Sequence, residues 1–243
     1  RGKGRNIAIN KSSSEVIAFT DGGCYLHRKW LERILKPIGK GYDVAVGYYK
    51  PWYTNGFQFF CGLIMVPKKL DIVRMSSRSL AFKKKVWKET GGYDERVEVG
   101  EDTIFHYKLI KGGYKLKVVK NAVVYWQMPK GVKELFKKFY KYGAGYWQTI
   151  RMKEFRKFLY LIVGIYGYFL LLLMAFFISP LMELGLLVFI PFLFFTLGVR
   201  SFLLTKKISG FFYYPMIWFT KNLAIVTGFT VKGINLLPKS LGI

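Results

Sequence analysis

Apolar residues are distributed along the chain in two different ways. Up to about Lys157, short apolar runs alternate with polar segments and glycine pairs, whereas the residues that follow form long stretches almost free of charge. The first pattern is typical of a folded domain in water, and the second is typical of helices in a lipid bilayer. The sequence therefore predicts a water-facing half followed by a membrane half.

The membrane half contains three apolar segments. Residues 158–178 form an uncharged run that is long enough, at about 1.5 Å per residue, to cross a hydrocarbon layer of about 30 Å. A break at Pro180 precedes a second predicted transmembrane helix at about 181–204. The third segment, 208–231, carries Lys221 near its centre, so spanning is only marginally favoured over lying in the interface unless this lysine snorkels or faces the bundle.

Loop charges predict the orientation of these helices. The turn at Pro180 has no basic residue, whereas the other side has Arg151, Lys153, Arg156, Lys157, Lys206 and Lys207. By the positive-inside rule, we expect a multi-pass protein of the cell membrane with residues 1–157 in the cytoplasm.

The segment 131–157 joins the two halves and mixes lysines with aromatic residues such as Phe136, Tyr140 and Trp147. This composition predicts one or two amphipathic helices at the level of the lipid headgroups. An ordinary surface helix with a solvated basic face is the alternative.

The water-facing half, residues 1–130, alternates between the two periodicities. Helical patterns cover 4–11, 30–35, 83–90 and 101–111, and strand patterns cover 15–20, 42–48, 79–82, 115–119 and 122–125. The alternation predicts an α/β domain with a mostly parallel sheet. Because the chain begins in a basic stretch one helix before the 15–20 strand, we expect that the first strands of such a domain lie upstream.

Charge and composition exclude some classes of protein and indicate a class of partner. The chain carries 39 Lys and Arg against 14 Asp and Glu, yet 52% of its residues are hydrophobic, and it has two cysteines. These values exclude a disordered basic tail and a disulfide-stapled scaffold. Of the basic residues, 33 lie in residues 1–157, which suits phosphate-bearing partners.

Three clusters in residues 1–130 resemble one family. They are Arg5-Asn6, then Phe19-Thr20-Asp21-Gly22-Gly23-Cys24 at the end of a strand, and finally Gly91-Gly92-Tyr93-Asp94-Glu95 followed by Gly100-Glu101-Asp102. Their order and spacing resemble family 2 glycosyltransferases of the GT-A fold, with the N-terminal part of that fold lacking. The resemblance implies transfer of a sugar from a nucleotide-diphosphate donor, with inversion, by a membrane-anchored enzyme.

The resemblance also implies a donor site. Asp21, Gly22 and Gly23 occupy the D-x-D position, where a carboxylate holds Mg²⁺ or Mn²⁺ against the donor diphosphate. A diphosphate leaves as an anion and needs cationic partners, which agrees with this role. Because Gly23 replaces the second carboxylate, the expectation of metal binding is weakened. Arg5 and Asn6 are implied to lie near the nucleotide.

On the acceptor side, the resemblance implies Asp102 as the catalytic base and Glu101 as its neighbour. Inverting transfer needs one base to deprotonate the acceptor hydroxyl. Acidic residues in the first turn of a helix also serve simply as caps, and that alternative stands on the residues alone. Gly91 and Gly92 shape the preceding loop, and Trp126 ends a strand on the same side. The Q-x-x-R-W element of processive family members is absent from this sequence, so we do not predict a processive synthase.

The overall prediction is a partial GT-A domain, an interfacial helical segment, and two or three transmembrane helices. Its expected partners are a nucleotide sugar, a lipid or lipid-linked acceptor, and the membrane, with no nucleic acid. The alternatives are a nonenzymatic basic membrane protein that binds anionic lipid or nucleic acid, and a fragment that cannot bind donor alone.

Overall fold

The computed structural model describes residues 1–68, 76–149 and 156–240. The chain divides into two compact units, a first unit of Arg1–Met128 and a second unit of Pro129–Ile243. Arg151 and Lys153, on which the predicted orientation partly depends, lie outside the described residues.

Helices and strands alternate in the first unit, as the sequence predicts. In chain order they are α1 (Gly2–Lys11), β1 (Val16–Phe19), β2 (Cys24–Leu26), α2 (Trp30–Gly39), β3 (Val44–Trp52), α3 (Gly56–Met65), β4 (Leu80–Lys83), α4 (Lys84–Glu89), α5 (Glu101–Lys111) and β5 (Leu116–Gln127). The predicted bounds of α5 are confirmed, and α4 ends shortly before Gly91-Gly92 as expected. β2 and α3 were not predicted.

The five strands form one sheet in the order β1-β4-β3-β5-β2. β3 and β5 pair in parallel, and the other three neighbouring pairs are antiparallel. The prediction of a mostly parallel sheet is therefore wrong. β1, β3 and β5 do run in one direction, but β4 lies reversed between β1 and β3, and β2 lies reversed beside β5. Strand direction depends on how distant segments pair, which the alternation along the chain does not determine.

The two predicted strands at 115–119 and 122–125 are one strand, β5. A register shift opposite Gly47 and Tyr48 separates its two halves, so that Val119 pairs with Gly47 and Val123 with Tyr48. Extra residues in one strand of a pair form a bulge, which interrupts the apolar alternation and explains the apparent break in the sequence.

The core of the first unit lies between the sheet and its helices. α2 packs against β3, β4 and β5, and buries Trp30, Ile34 and Ile38, which are spaced four residues apart on one helical face. α3 also packs against β3. The consecutive residues 44–46 of β3 are fully buried, as expected for a central strand that is covered on both faces.

The mixed sheet brings several loops to one edge. β1, β3 and β5 all end there, and the reversed strand β4 begins there. The chain must also cross this edge to pass from β1, at one side of the sheet, to β2, at the other. We call it the carboxyl edge. Ligands of open α/β sheets commonly bind at such an edge.

The elements of the second unit are all helices within its described residues. It contains α6 (Val132–Thr149), α7 (Arg156–Ile178), α8 (Pro180–Thr205) and α9 (Ser209–Ser240). Two segments, Leu159–Ile178 and Glu183–Thr205, are the parts of the described chain that are long and apolar enough to cross a membrane, and only 11% of each is buried within the structure. They correspond to the first two predicted transmembrane helices.

α6 and α9 pack closely against each other through glycines. A β-carbon at Gly143 would overlap the carbonyl oxygen of Ile225, and one at Gly228 would overlap that of Tyr140. Small residues permit this approach, as they do at many helix pairs in membranes.

Lys221 lies on α9 at this helix pair. Its ammonium group is 5.9 Å from the ring centroid of Phe139 on α6, a distance typical of a cation–π contact. The lysine thus faces a neighbouring helix, which is one of the two arrangements that make a central lysine tolerable in the third apolar segment.

Candidate active site

Asp21 lies in the loop that crosses the carboxyl edge from β1 to β2. Gly23 in this loop has a φ of 78°, a left-handed conformation that glycine adopts without strain. A β-carbon at Gly22 or Gly23 would have no described atom within 4 Å. The loop therefore leaves open space beside Asp21, whose side chain is 27% exposed.

Arg5 of α1 connects the two acidic motifs. Its Nη2 donates to Oδ1 of Asp21 at 2.8 Å, and its Nη1 donates to Oε1 of Glu101 at 2.7 Å. The guanidinium also lies 5.1 Å from the ring centroid of Tyr93 and 5.9 Å from that of Phe19. Residues that are 96 positions apart in the sequence thus meet at one cation, and the three predicted motifs converge.

Asn6, the neighbour of Arg5, holds the loop before α5. Its Oδ1 accepts from Nε1 of Trp87 at 2.9 Å and from the backbone N of Tyr93 at 3.0 Å. Its Nδ2 donates to the carbonyl of Tyr93 at 2.8 Å and to Oε1 of Glu95 at 2.9 Å. The role of Asn6 at a nucleotide stays a prediction, and its contacts in this structure fix the loop.

Gly91 and Gly92 shape the same loop, with φ values of 69° and 66°. The two positions differ in their surroundings. A β-carbon at Gly92 would lie 2.5 Å from Nε1 of Trp87 and 2.8 Å from Oδ1 of Asn6, whereas one at Gly91 would have no described atom within 4 Å. Gly92 is therefore required both by backbone conformation and by close packing.

We expect Gly92→Ala to destabilise the protein more than Gly91→Ala. Both changes place a side chain in the left-handed region at a cost of about 1–2 kcal/mol, but only the first displaces the Trp87 and Asn6 contacts. Urea unfolding of the full chain in detergent measures the two free energies. Equal losses for the two variants would contradict the packing argument.

Glu101 and Asp102 open α5 after Gly100, and their side chains have different surroundings. The Glu101 side chain is 3% exposed and bound to Arg5. Burial raises the pKa of Glu101, and the charge of Asp102 adds to this effect, whereas Arg5 opposes it. Asp102 is half-buried, and its Oδ1 accepts from the backbone N of Thr103 at 2.8 Å. Of the pair, Asp102 is thus the carboxylate that an incoming ligand can reach.

Arg78 is a residue of this site that sequence reasoning missed. It precedes β4, and the reversed direction of β4 places it at the carboxyl edge. Its Nε is 3.9 Å from Oδ2 of Asp21, and its guanidinium lies 3.8 Å from the ring centroid of Trp126 and 5.2 Å from that of Tyr49. Trp126, predicted on the acceptor side, is buried at the end of β5 beneath this guanidinium. The sequence signal that could have identified Arg78 is its position among serines, in the run 76–79.

The donor set for a metal ion is limited. Among the described residues, no group of three His, Cys, Asp or Glu side chains could hold a metal. Asp21 uses Oδ1 for Arg5, which leaves Oδ2 on the side of Arg78. One carboxylate oxygen fits Mg²⁺ or Mn²⁺ only if diphosphate oxygens and water complete the shell, a division of ligands that is common for Mg²⁺.

Comparisons with known proteins point to one class of enzyme. Residues 10–220 match the family described as Glycosyl transferase family group 2. The chain is also 28% identical, over 174 residues, to the glycosyltransferase AglE of Haloferax volcanii, a match that covers 66% of this chain and 57% of AglE. This chain therefore spans little more than half the length of that relative.

A solved structure has a similar fold. The mannosyltransferase PcManGT from Pyrobaculum calidifontis, in complex with GDP-Man and Mn²⁺, superimposes with a TM-score of 0.56 at 16% identity. The similarity covers 96% of this chain and 66% of PcManGT. At this identity it shows an α/β fold of the GT-A type, which confirms the predicted fold class of the first unit.

Because the family match covers more than half of its residues, the chain belongs to glycosyl transferase family group 2. The resemblance drawn from the three sequence clusters is thereby confirmed.

Proposed function

We propose that this chain belongs to an inverting glycosyltransferase, which transfers a sugar from a nucleotide-diphosphate donor to a lipid or lipid-linked glycan at the cytoplasmic face of the membrane. The convergence of Asp21, Glu101 and Asp102 around Arg5 at the carboxyl edge carries the proposal. Family membership supports the reaction class, and the open space beside Asp21 supports the place of the donor.

In this mechanism the donor diphosphate lies in the space beside Asp21, Gly22 and Gly23. The two glycines let the donor approach the backbone closely. Arg5 holds the Asp21 carboxylate in place through its 2.8 Å ion pair. A divalent cation bound through Asp21 would neutralise charge on the departing diphosphate, and the Mn²⁺ in the PcManGT complex supports this assignment.

Asp102 acts as the base. The acceptor hydroxyl gives its proton to the Asp102 carboxylate while its oxygen forms a bond to the anomeric carbon. The bond from that carbon to the diphosphate oxygen breaks at the same time, and the diphosphate leaves with the electron pair. A single displacement of this kind inverts the anomeric configuration. Glu101 contributes by holding Arg5 through its buried ion pair.

The helices of the second unit support a lipid acceptor. Most of the residues in Leu159–Ile178 and Glu183–Thr205 are not buried within the structure, unlike those of a core helix in a soluble protein. Large apolar side chains such as Phe169, Phe177 and Phe192 are more than half exposed, which suits contact with lipid tails. An enzyme anchored in this way can meet an acceptor that stays in the bilayer.

A transfer assay in membranes tests the proposal. Membranes that contain the full chain are incubated with radiolabelled GDP-mannose, the donor held by PcManGT, and in parallel with labelled UDP-sugars. We expect one donor to label the fraction that organic solvent extracts. Label that stays in water with every donor, relative to membranes lacking the protein, would contradict the proposed reaction.

A further inference from the structure

We propose that Arg78 binds the donor diphosphate directly. Its guanidinium supplies a fixed positive charge in addition to that of any metal ion held by the single carboxylate of Asp21. The inference rests on the proposed function, because it assigns a further residue to the same donor site. It concerns a side chain outside the three motifs that define the family resemblance.

The first observation is an unsatisfied donor. Nε of Arg78 is buried and has no hydrogen-bond partner among the described residues. The Asp21 carboxylate is the acidic group beside it, but the 3.9 Å between Nε and Oδ2 exceeds hydrogen-bond length. Buried donors in native proteins are nearly always paired, and an exception calls for a reason. An oxygen of a bound ligand is the reason we assign.

The second observation is that Arg78 is held rigidly. Its Nη1 donates to Oγ of Ser76 at 2.7 Å, and the flat face of the guanidinium lies on the Trp126 ring at 3.8 Å. These contacts fix the plane of the group and leave the Nε side directed towards Asp21. A guanidinium fixed in this way is suited to a phosphate, because its parallel N–H groups match the spacing of phosphate oxygens.

The third observation is the chemistry that the neighbouring loop lacks. Between β1 and β2 the loop offers one carboxylate, Asp21, and the space at the two glycines that follow it is open. A single carboxylate, already paired with Arg5, is a weak ligand set for a divalent ion. The charge that builds on the diphosphate as its bond to the sugar breaks must then be met partly by side chains, and Arg78 lies on the correct side of Asp21 to meet it.

Binding of inorganic pyrophosphate tests this role without depending on the identity of the base or the sugar. The full chain in detergent is titrated with pyrophosphate and with GDP, in Mn²⁺ and in EDTA, for wild type, Arg78→Gln and Arg78→Lys. We expect Arg78→Gln to weaken pyrophosphate binding by at least about tenfold in both buffers, and Arg78→Lys to recover part of the loss. A purely structural role in holding Trp126 would lower the urea unfolding midpoint of Arg78→Gln and leave its pyrophosphate affinity at the wild-type value.

Arg33→Gln is the matched control, since Arg33 is a guanidinium of α2 whose Nη1 donates to the backbone of Asn121. We expect this variant to bind pyrophosphate as wild type does. If wild type transfers sugar and Arg78→Gln binds pyrophosphate as tightly as wild type, the inference about Arg78 fails and the proposed function stands. A higher KM of this variant for the acceptor would not rescue the inference. If wild type neither binds pyrophosphate or GDP nor transfers sugar, the inference and the proposed function both fail.

Discussion

Replacement of Asp102 by asparagine is expected to lower the rate of sugar transfer by about 10²–10⁴-fold, the usual contribution of a positioned general base. The change removes the proton acceptor but keeps the shape of the side chain. An asparagine oxygen can still accept from the backbone N of Thr103, a bond of 2.8 Å in the native protein. The rate is measured at saturating donor and acceptor in membranes.

The Asp102→Asn variant should bind the donor as tightly as wild type, because its defect lies in the chemical step. Donor affinity and the urea unfolding midpoint are measured on the same preparation. A variant that folds, binds donor and transfers sugar at the native rate would show that Asp102 only caps α5. Asp102 is the second residue of α5, where asparagine keeps the hydrogen bond to Thr103 but loses the charge at the helix N-terminus. That loss is worth about 0.3–1 kcal/mol and is read from the unfolding midpoint, so this substitution separates the two roles.

Replacement of Asp21 by asparagine is expected to weaken donor binding by about 10–100-fold, as the loss of a charged partner in a ligand site commonly does. Two effects act in opposite directions, and we expect the first to be larger in Mn²⁺. The variant loses the carboxylate oxygen that would face a divalent cation, whereas it also frees Arg5 from its 2.8 Å ion pair and removes a negative charge beside the diphosphate. Titration with GDP in the presence and absence of Mn²⁺ separates them, since only the first effect depends on the metal.

Asp43→Asn is the matched control for Asp21→Asn. Asp43 also forms an ion pair, at 2.9 Å with Lys83, but it precedes β3 and so lies at the opposite edge of the sheet. The Lys83 side chain lowers the pKa of Asp43 by hydrogen bonding. We expect the control to lose some stability and to keep its donor affinity. Equal donor affinity in wild type and Asp21→Asn would exclude Asp21 from the donor site.

The sequence predicted those parts of the fold that depend on local signals. α5 has a glycine before it, acidic residues in its first turn and Gly112-Gly113 after it, and its predicted bounds are the observed ones. By contrast, β2 has only three residues, and two of them, Tyr25 and Leu26, are exposed. Such a strand shows no periodicity in sequence, because it is formed by its hydrogen bonding to β5.

α3 was missed for a different reason. Its sequence is apolar on every side, and a short apolar run does not distinguish a helix from a buried strand. A capping signal was present, because the Asn55 side chain accepts from the backbone N of Gln58, three residues along. The direction of β4 had no local signal, and this direction brings Arg78 to the site.

The candidate site likewise contains residues with a local sequence signal and residues without one. Asp21, Glu101 and Asp102 were predicted because they stand in motifs. In the structure Arg5 joins Asp21 to Glu101, and Asp102 follows Glu101 on α5. The ion pair between Arg5 and Glu101 spans 96 positions, and no periodicity connects residues so far apart. Arg78 belongs to no motif, so only its place beside Trp126 and Asp21 distinguishes it from the other basic residues of the chain.

The central claim is that this chain transfers a sugar from a nucleotide diphosphate by a displacement that Asp102 assists. The most direct measurement follows two products in one reaction, the nucleoside diphosphate released and the labelled sugar recovered in the lipid extract. The account predicts equal amounts of both products from wild type and almost none of either from Asp102→Asn, although the variant binds donor normally. Diphosphate release without sugar in the extract, or equal yields from wild type and variant, would contradict it.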